Sequence, residues 1–406
     1  MSRLQSRFTK LRLLPPQIPL RSGKLVFMGN DPGPRVVLCT PGFPSSVNDT
    51  DKPFLLDHAR ALSDANFRVT VICPAVPGTP SRQTLEGIEV LRVRYGPRRL
   101  ETLAATGAMY REARGLKSLL VVPMLFALCL AAYRQTRAEP AVLHGHWWIP
   151  GGLVATFVGW IARCPSVVHV HGSDAVIANS RPLKWLARRV FVAADTRLAV
   201  SAQLARWGQQ MCSKDFDVLP MPVNLNRVPD PSAAPEHGFV LAVGRLVPEK
   251  GFDVLIDAVA IIDSRERPSL TIIGIGPERE NLKRQAQKLG VDLHLAGAVP
   301  PSEINDWYMR CRFVAVPSLR EGFGLVAAEA AAASRAVVGT KVGGLEEIVD
   351  HGVSGLLIEP GDSRALATAL LEVDADWGLR GPDQVVQLSS ARHGKQMRRL
   401  YEDLSK

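Results

Sequence analysis

The sequence contains no apolar run long enough to cross a lipid bilayer as a helix. Its longest such run, from Leu119 to Ala132, has 14 residues and includes Pro123, whereas a transmembrane helix needs about 20 apolar residues. With 46% hydrophobic and 22% charged residues, the composition is ordinary for a globular enzyme and argues against a disordered chain. We therefore predict that this run forms a buried or interfacial helix.

Cysteine pairs of the kind that hold zinc are also missing. No two cysteines form a Cys-x-x-Cys motif, and several lie within apolar runs. We predict reduced, mostly buried thiols in a cytoplasmic protein. The six cysteines are Cys39, Cys73, Cys129, Cys164, Cys212 and Cys311.

Positive charge is concentrated in the first part of the chain, without the interleaved aromatic residues of a nucleic-acid-binding surface. Residues 1–235 carry 29 Lys and Arg against 15 Asp and Glu, a net charge of +14, whereas residues 236–406 carry 20 against 24, a net charge of −4. We predict no nucleic-acid partner, and we expect peripheral contact with an anionic membrane or an acidic acceptor. A solvated basic face is the alternative. The densest cluster is Arg92, Arg94, Arg98, Arg99, Arg111, Arg114 and Lys117.

The first 30 residues are basic, contain no acidic residue and lack the apolar core of a secretory signal. They resemble a transit peptide only weakly. We predict a flexible basic extension over residues 1–34.

Short apolar runs then alternate with helical patterns. Arg35–Thr40 and Phe67–Pro74 predict buried parallel strands, and Phe54–Asn66 between them has helical apolar spacing. A strand–helix–strand opening is typical of doubly wound α/β sheets. Later runs extend this first domain, which we place at residues 35–228.

A segment rich in proline and alanine, residues 229–237, predicts a linker. The pattern then restarts, with a predicted strand at Phe239–Val243 and a predicted helix at Phe252–Asp263. The second domain therefore spans residues 238–406, and its final helix could pack back on the first domain. Further strands are predicted at 270–275, 291–296, 313–317 and 336–339.

Four histidines lie at the ends of two further predicted strands of the first domain, residues 141–143 and 166–170. Alternate residues of a strand point to the same side, so His169 and His171 share a face, and His171 at the strand end can bond a substrate hydroxyl. Metal binding is the rival interpretation for these residues and for His144 and His146, but no acidic ligand pattern completes either pair. We predict no metal, and we expect His144 and His169 to be structural histidines that bond the backbone.

The segment from Pro317 to Ala332 predicts a loop that turns into a helix halfway along. Its carboxylates, Glu321 and Glu329, lie eight residues apart, with Gly322 and Gly324 between them. The first turn of a helix binds anions through unpaired N–H groups, and glycines let a ligand approach the backbone. A diphosphate between two hydroxyl-binding carboxylates describes a nucleotide sugar, whereas the alternative is a surface loop with two solvated glutamates.

A second glycine-bearing loop, residues 244–251, joins a predicted strand to a predicted helix. Arg245 and Lys250 in this loop can clamp a diphosphate, the first as a rigid fork and the second as a point charge. Taken alone, this pattern also fits two solvated charges.

Together these segments resemble the retaining nucleotide-sugar glycosyltransferases of family 4. The resemblance covers about residues 35–405 and is strongest over residues 239–362. It implies an α/β GT-B architecture, in which two Rossmann-like doubly wound domains face each other across a cleft. The first domain would bind the acceptor and the second the nucleotide sugar. The motifs are HGSD, GRLVPEKGFDVLIDA, GIGPERENL, EGFGLVAAEAAA and VGGLEEIVDHGVSGLLIEPGD.

The resemblance also implies roles for individual residues. Arg245 and Lys250, beside Gly244, would neutralise the donor diphosphate, so that neither a metal nor another cofactor is needed. Glu329 would accept the ribose hydroxyls, and Val299 is the candidate for contact with the base. The backbone contacts implied for the sugar and phosphates are those of Gly322, Phe323, Gly324 and Leu325.

At the sugar, the resemblance implies that Glu321 contacts the donor sugar and that His171 contacts it near the reacting carbon. Both therefore join Arg245 and Lys250 as catalytic candidates. His146 and Asp174 are acceptor-side candidates. Transfer would proceed on one face of the sugar, with the leaving phosphate assisting deprotonation of the acceptor.

We therefore predict a hexosyltransferase that uses a UDP- or GDP-sugar and a glycan or lipid-linked acceptor in cell-envelope or exopolysaccharide biosynthesis. It would be cytoplasmic and peripheral on the inner face of the plasma membrane. The alternatives are a GT-B nucleotide-sugar epimerase and a non-catalytic nucleotide-sugar-binding subunit. Two segments depart from the family: the loop Pro41–Asp51 lacks the usual glycine pair, and Met221-Pro222 replaces the usual Asn-Gly.

Overall fold

The computed structural model of the protein describes residues 33–104, 109–113, 115–178, 180–225, 234–235 and 238–404. The predicted extension 1–34, except residues 33–34, and the predicted linker 229–237, except residues 234–235, lie outside the described residues.

The first domain is built on an eight-stranded sheet. Its strands are β1 Arg35–Cys39, β2 Arg68–Pro74, β3 Arg82–Leu85, β4 Ile88–Val93, β5 Val142–His146, β6 Ser166–Val170, β7 Thr196–Ala199 and β8 Asp217–Val218. They lie in the order β3-β4-β2-β1-β5-β6-β7-β8, and every neighbouring pair is parallel except β3 with β4. Because β1 and β2 run as buried apolar strands, helices must cover both faces of this sheet.

The helices of this domain are α1 Pro53–Asp64, α2 Met109–Glu112, α3 Val121–Ala138, α4 Leu153–Ala162, α5 Ser173–Ile177, α6 Arg181–Ala193 and α7 Ala202–Cys212. Helix α7 begins after Ser201, whose side chain accepts a hydrogen bond from the Leu204 N–H and caps the first turn.

The second domain has a six-stranded sheet in which all neighbours are parallel. Its strands are β9 Val240–Val243, β10 Leu270–Ile273, β11 Leu293–Gly297, β12 Phe313–Val316, β13 Val337–Thr340 and β14 Gly355–Ile358. Their order is β11-β10-β9-β12-β13-β14. This is the Rossmann order, in which the strand order reverses between the first strand, here β9, and the fourth, here β12.

The helices of the second domain are α8 Phe252–Ile261, α9 Arg279–Leu289, α10 Ile304–Arg310, α11 Leu325–Ala332, α12 Leu345–Ile348, α13 Ser363–Glu372, α14 Gly381–Val385 and α15 Ser390–Asp403. The final helix, α15, packs against α1 of the first domain, where the Gly394 backbone lies close to the Ala61 carbonyl and Tyr401 contacts Phe67.

The hairpin formed by β3 and β4 does not appear among the sequence predictions. Its two-residue turn consists of Glu86 and Gly87, whose φ angles are 50° and 80°. Two positive φ values match the twist of a tight hairpin, but such turns usually carry Asn-Gly or Asp-Gly. Glutamate at the first position does not match either pair, so the turn carries no sequence signature of a hairpin.

Helix α3 is longer than the apolar run suggested. The helical stretch Lys117–Ala138 has 22 residues, and its most apolar 18-residue window has a mean hydropathy of 1.6, so by length and composition alone it could cross a membrane. Only 22% of its most apolar window is buried. The helix therefore lies on the surface of the domain, held by one buried side that includes Met124, Leu128 and Ala132.

The basic cluster between residues 92 and 117 is not one solvated face, which corrects part of the sequence interpretation. Arg92 is 3% exposed and donates hydrogen bonds to the side chain of Gln83 and the carbonyl of Pro44. Arg94 forms an ion pair with the buried Glu101 at 2.6 Å. All six cysteines are free, and four of them are buried, in line with the predicted reduced thiols.

Candidate active site

The candidate site lies between β9 and β12, where the strand order of the second sheet reverses. Strands β9 and β12 are neighbours, and their following loops, residues 244–251 and 317–324, leave the same edge of the sheet. The Leu319 N–H donates to the Glu249 carbonyl at 2.9 Å. Gly251 has a φ of 64°, and a Cβ there would lie 2.2 Å from the Pro317 carbonyl oxygen. Only glycine lets the two loops come this close.

This approach brings Lys250 and Glu321 together. The Lys250 Nζ lies 2.6 Å from the Glu321 Oε2, which also accepts a hydrogen bond from the Ser318 hydroxyl at 3.0 Å. The Gly322 N–H donates to the other carboxylate oxygen at 3.2 Å. The lysine and glutamate side chains are 22% and 15% exposed, so each keeps contact with the cleft.

The same contacts fix the ionisation of Glu321. Burial raises the pKa of this carboxyl, but the Lys250 charge and the hydrogen bonds from Lys250, Ser318 and Gly322 outweigh burial, and the pKa lies below its usual value. Glu321 is therefore a carboxylate at neutral pH. It can accept hydrogen bonds from hydroxyl groups but cannot serve as a proton donor.

The backbones of the two domains meet beside this pair. A Cβ on Gly322 would lie 2.2 Å from the His171 carbonyl oxygen, and a Cβ on Gly172 would lie 2.9 Å from the Gly322 Cα. Gly172 also has a φ of 114°, which favours glycine. The loop after β6 therefore lies directly against the loop that carries Glu321.

His171 sits at the end of β6 with its ring among aromatic neighbours. Its Nε2 lies 2.9 Å from the His146 Nδ1, and its ring centroid lies 4.4 Å from that of Trp147 and 5.7 Å from that of Phe54. Burial is the main cause that lowers the pKa of His171 well below 6.5, and the neighbouring His169 lowers it further. A neutral imidazole at pH 7 can donate one hydrogen bond and accept another.

The two acceptor-side candidates have structural partners. His146 and Asp174 are both 0% exposed. One oxygen of Asp174 accepts from the Trp148 N–H at 2.7 Å, and the other accepts from the His171 N–H at 2.6 Å. Burial raises the pKa of Asp174 to about 6. Both residues shape the loop that presents His171, and their acceptor-side roles stay predictions.

The remaining donor-side candidates are spread along the same sheet edge. Arg245 is exposed and has no ion-pair partner among the residues described. The Tyr308 hydroxyl donates to the Glu329 Oε2 at 2.8 Å. Val299, in the loop after β11, is partly buried against the core. Gly324, with a φ of 100°, directly precedes α11 and starts the predicted loop-to-helix turn.

Of the two histidines predicted to bond the backbone, one does so and the other does not. The His169 Nε2 lies 2.8 Å from the Leu219 carbonyl oxygen, as predicted. The prediction is wrong for His144, whose Nδ1 lies 2.6 Å from the Tyr401 hydroxyl. That hydroxyl comes from α15, at the far end of the chain, so no local pattern reveals it.

Comparison with known proteins shows the family of this chain. The family model described as Glycosyltransferase Family 4 matches residues 54–227, and the model described as Glycosyl transferases group 1 matches residues 228–381. An uncharacterised glycosyltransferase of Methanocaldococcus jannaschii is 30% identical over 272 residues, which are 65% of this chain and 76% of that protein. The chain belongs to glycosyltransferase family 4.

Two further proteins resemble this family 4 glycosyltransferase along almost its whole length. A Bacillus subtilis glycosyltransferase, whose name provisionally assigns it to teichuronic acid biosynthesis, is 25% identical over 397 residues, covering 92% of this chain and 99% of that protein. The crystal structure of Anabaena HepE in complex with UDP-glucose has a TM-score of 0.67 and 19% sequence identity, covering 91% of this chain and 99% of that chain. Together with the two Rossmann-like sheets, this likeness confirms the predicted GT-B fold.

In this chain, residues to which the sequence analysis gave no role join the two domains. The Gly343 N–H donates to the Gln203 side chain at 2.7 Å, and the Ala202 N–H donates to the Glu347 carboxylate at 2.7 Å. Both bonds start at the first turn of α7: one reaches Gly343 in the loop before α12, and the other reaches Glu347 within α12. Gly343 and Glu347 lie in the VGGLEE motif, so a signal existed on one side of the junction, but Gln203 carries none.

Proposed function

We propose that this family 4 enzyme is a retaining hexosyltransferase that needs no metal for the transfer step and uses a UDP- or GDP-sugar. The acceptor is a glycan or lipid-linked glycan in cell-envelope or exopolysaccharide biosynthesis. The observation that carries the proposal is the partly exposed Lys250–Glu321 pair between β9 and β12, where the strand order of the second sheet reverses. The UDP-glucose bound by HepE supports a UDP-sugar, and the name of the Bacillus subtilis relative supports an envelope polymer.

The donor diphosphate is expected at the first turn of α11, where backbone N–H groups and the helix dipole attract an anion. Lys250 has three N–H donors and gives one to Glu321, so two remain for phosphate oxygens. Arg245 offers its fork-shaped guanidinium. These two cations oppose the negative charge that grows on the leaving diphosphate, which is the main contribution to the rate.

In the transfer step, the bond between the anomeric carbon and the diphosphate oxygen breaks while a bond to the acceptor oxygen forms on the same face. The acceptor proton passes to the leaving phosphate, so no protein base is required. Glu321 as a carboxylate accepts hydrogen bonds from sugar hydroxyls, and Glu329, oriented by Tyr308, accepts those of the ribose. The Rossmann-like domains at 35–228 and 238–406 supply the acceptor and donor sides.

The test is product analysis with UDP- and GDP-hexoses and a set of free and lipid-linked glycans. We expect one nucleotide class to be used, the anomeric configuration to be retained in the product, and turnover to proceed without added Mg²⁺ or Mn²⁺. An inverted linkage would remove the retaining assignment. An epimerised donor would identify an isomerase, and saturable nucleotide binding without any product would identify a binding subunit.

Replacement of His171 by alanine separates donor binding from catalysis. Because the neutral His171 ring is proposed to bond the sugar near the reacting carbon, kcat is expected to fall by about 10²-fold, while UDP affinity stays within about threefold, or 0.7 kcal/mol. Kinetics and calorimetric UDP titration give the two values. His294→Ala removes an exposed histidine of β11 and serves as control. Wild-type turnover in a folded His171→Ala protein would end the proposed role.

We further propose that α3 and α4 bind the surface of an anionic membrane. The most exposed large apolar residues of these two helices and of the turn before α3 are Leu119, Val122, Phe126, Phe157 and Trp160, which are 70%, 72%, 70%, 50% and 62% exposed. Helix α3 contains no Asp or Glu. Exposed basic residues lie near the ends of the two helices: Lys117, Arg134, Arg137 and Arg163. An apolar patch beside basic residues suits insertion at the headgroup level of acidic lipids.

Substitution of Phe126 and Trp160 by glutamate tests this surface. Each inserted aromatic ring contributes about 1.5–3 kcal/mol, so the double variant should bind vesicles containing phosphatidylglycerol at least tenfold more weakly in co-sedimentation. Leu371→Glu, at a 52% exposed position on α13 of the second domain, is the matched control. Equal sedimentation of the double variant and the control would place the contact elsewhere.

A further inference from the structure

Six of the nine histidines of the chain lie in one largely buried cluster, where α15 of the second domain packs on the first domain. They come from four elements: α1, β5, the end of β6 and α15. Neighbouring ring centroids are 4.6 Å apart for His144 and His146, and 4.9 Å apart for His58 and His146. The histidine cluster consists of His58, His144, His146, His169, His171 and His393.

Four members of the histidine cluster have a buried ring nitrogen without a hydrogen-bond partner among the residues described: the Nε2 atom in three of them and the Nδ1 atom of His169. His58, His144 and His146 are each 0% exposed. The Nε2 atom of each is buried and makes no hydrogen bond with any part of the chain that the structure describes. One ring nitrogen of each histidine lies within 4.8 Å of those of the other two. Unpartnered buried polar atoms are rare, and three together point to a shared occupant.

The other nitrogen of each of these rings is held in place. The Nδ1 atoms lie 2.8 Å from the His393 Nε2 for His58, 2.6 Å from the Tyr401 hydroxyl for His144, and 2.9 Å from the His171 Nε2 for His146. Histidines that bind metals usually have a second residue on the far nitrogen, which fixes the tautomer and turns a lone pair toward the ion.

The direction of one of these bonds follows from its surroundings. His393 also forms a hydrogen bond with the backbone of Pro220. A proline has no N–H group, so its carbonyl accepts and His393 donates. The His393 Nε2 is then left to accept from the His58 Nδ1–H. In that tautomer the His58 Nε2 carries a lone pair and no hydrogen, as a metal ligand requires.

We propose that His58, His144 and His146 bind one divalent transition-metal ion through their Nε2 atoms. Three imidazoles suit Zn²⁺, Co²⁺ or Ni²⁺ rather than Mg²⁺ or Ca²⁺, and a water would complete a tetrahedral shell. The rings close around the ion until each nitrogen is about 2.0–2.1 Å away. This inference departs from the expectation of no metal, and the site is separate from the diphosphate clamp of the second domain.

The ionisation of the ligands is compatible with this site. Burial is the largest cause that lowers the pKa of all three histidines well below 6.5, and the neighbouring histidines add to it. The rings are therefore neutral at pH 7, and no proton has to be displaced before a metal can bind.

The ion would connect distant parts of the chain. Its ligands come from α1 and β5, whereas His393 and Tyr401, which support two of them, come from the last helix, α15. A bound metal therefore strengthens the attachment of α15 to the first domain. It also fixes the His146 tautomer that donates to the His171 Nε2, and this second consequence rests on the proposed role of His171 in transfer.

The test is a cobalt titration of the full chain after treatment with a chelator. We expect a single equivalent of Co²⁺ to bind with the visible absorption of a tetrahedral site, and Zn²⁺ to displace it. His58→Ala should abolish this absorption. Tyr401→Phe, which keeps the buried ring and removes only the hydroxyl beside His144, should weaken Co²⁺ affinity by about 10–100-fold. His294→Ala, outside the histidine cluster, should bind as the wild type does.

Circular dichroism of each variant confirms folding, and Tyr401→Phe keeps the test decisive if His58→Ala does not fold. Failure of the folded wild type to bind Co²⁺ would overturn the proposal and leave the space to a water molecule. Binding that is unchanged in both His58→Ala and Tyr401→Phe would place the ion at other groups and overturn it equally. No nucleotide sugar enters the measurement, so failure of the proposed transfer activity does not affect its outcome.

Discussion

Replacement of Lys250 by alanine is expected to lower kcat/KM by about 10²–10³-fold, the effect of removing one electrostatic contact to a transition-state charge. UDP binding should weaken by about 1–3 kcal/mol, the size of a charge-assisted hydrogen bond. Two effects act together. The diphosphate loses a cation, and Glu321 loses the ammonium at 2.6 Å that offsets its charge, so the site becomes repulsive toward an anion. Steady-state kinetics and calorimetric titration with UDP measure the two effects.

Further variants separate the loss of the cation from the freeing of Glu321. Lys250→Ala combined with Glu321→Gln removes the uncompensated carboxylate, so UDP affinity should recover in part while turnover stays low. Lys341→Ala is the matched control, because its ion pair with Glu359 at 2.9 Å is 44% and 70% exposed, and such pairs contribute at most about 1 kcal/mol. Unchanged UDP affinity in a folded Lys250→Ala protein would remove Lys250 from the donor site.

The second domain could be predicted largely from sequence because its information is local. Strands β9, β10, β12 and β13 are short apolar runs followed by glycine-bearing loops, and a parallel sheet brings the ends of such runs to one edge. Lys250 and Glu321 are 71 residues apart, yet both follow strands that lie side by side. The Rossmann-like fold implied by the family resemblance was enough to place the two loops at one edge of the sheet.

The contacts that could not be predicted join residues without any shared pattern. Nothing near His144 indicates that a tyrosine 257 residues away supplies its partner. Arg92 looked like one more surface cation, but its guanidinium is buried because carbonyls of the loop after β1 accept its hydrogen bonds. Residue type alone does not show whether a charge has a buried partner.

Helix α3 shows a further reason why the structure could not be predicted fully from the sequence. An uninterrupted apolar run has no polar face, so its sequence cannot show which side packs against the sheet. The structure buries Leu128 and leaves Phe126 70% exposed, although both are large and apolar. The exposed side of α3, rather than its composition, is what suggests a membrane surface.

Replacement of Gly322 by alanine tests the contact between the two domains. Gly322 does not have a positive φ, in contrast to Gly172 and Gly324, so alanine fits its backbone conformation. The obstacle is the His171 carbonyl oxygen, 2.2 Å from the new Cβ. Both partners are backbone atoms in tight loops, so the loops must separate by about 1 Å, and a misplacement of that size can cost about 10²-fold in rate.

The expected result for Gly322→Ala is therefore a fall in kcat of about 10²-fold with a folded protein and near-normal UDP binding, because Lys250 and Arg245 stay on the second domain. Kinetics, UDP calorimetry and thermal unfolding of the same preparation distinguish these effects. Gly96→Ala is the control, since a Cβ there meets only a Leu120 methyl carbon at 3.7 Å, and its stability should stay within about 0.5 kcal/mol of the wild type. If Gly322→Ala kept wild-type kcat, the His171 loop and the Glu321 loop would not need to touch during transfer. The catalytic assignment of His171, which depends on that contact, would then fall with it.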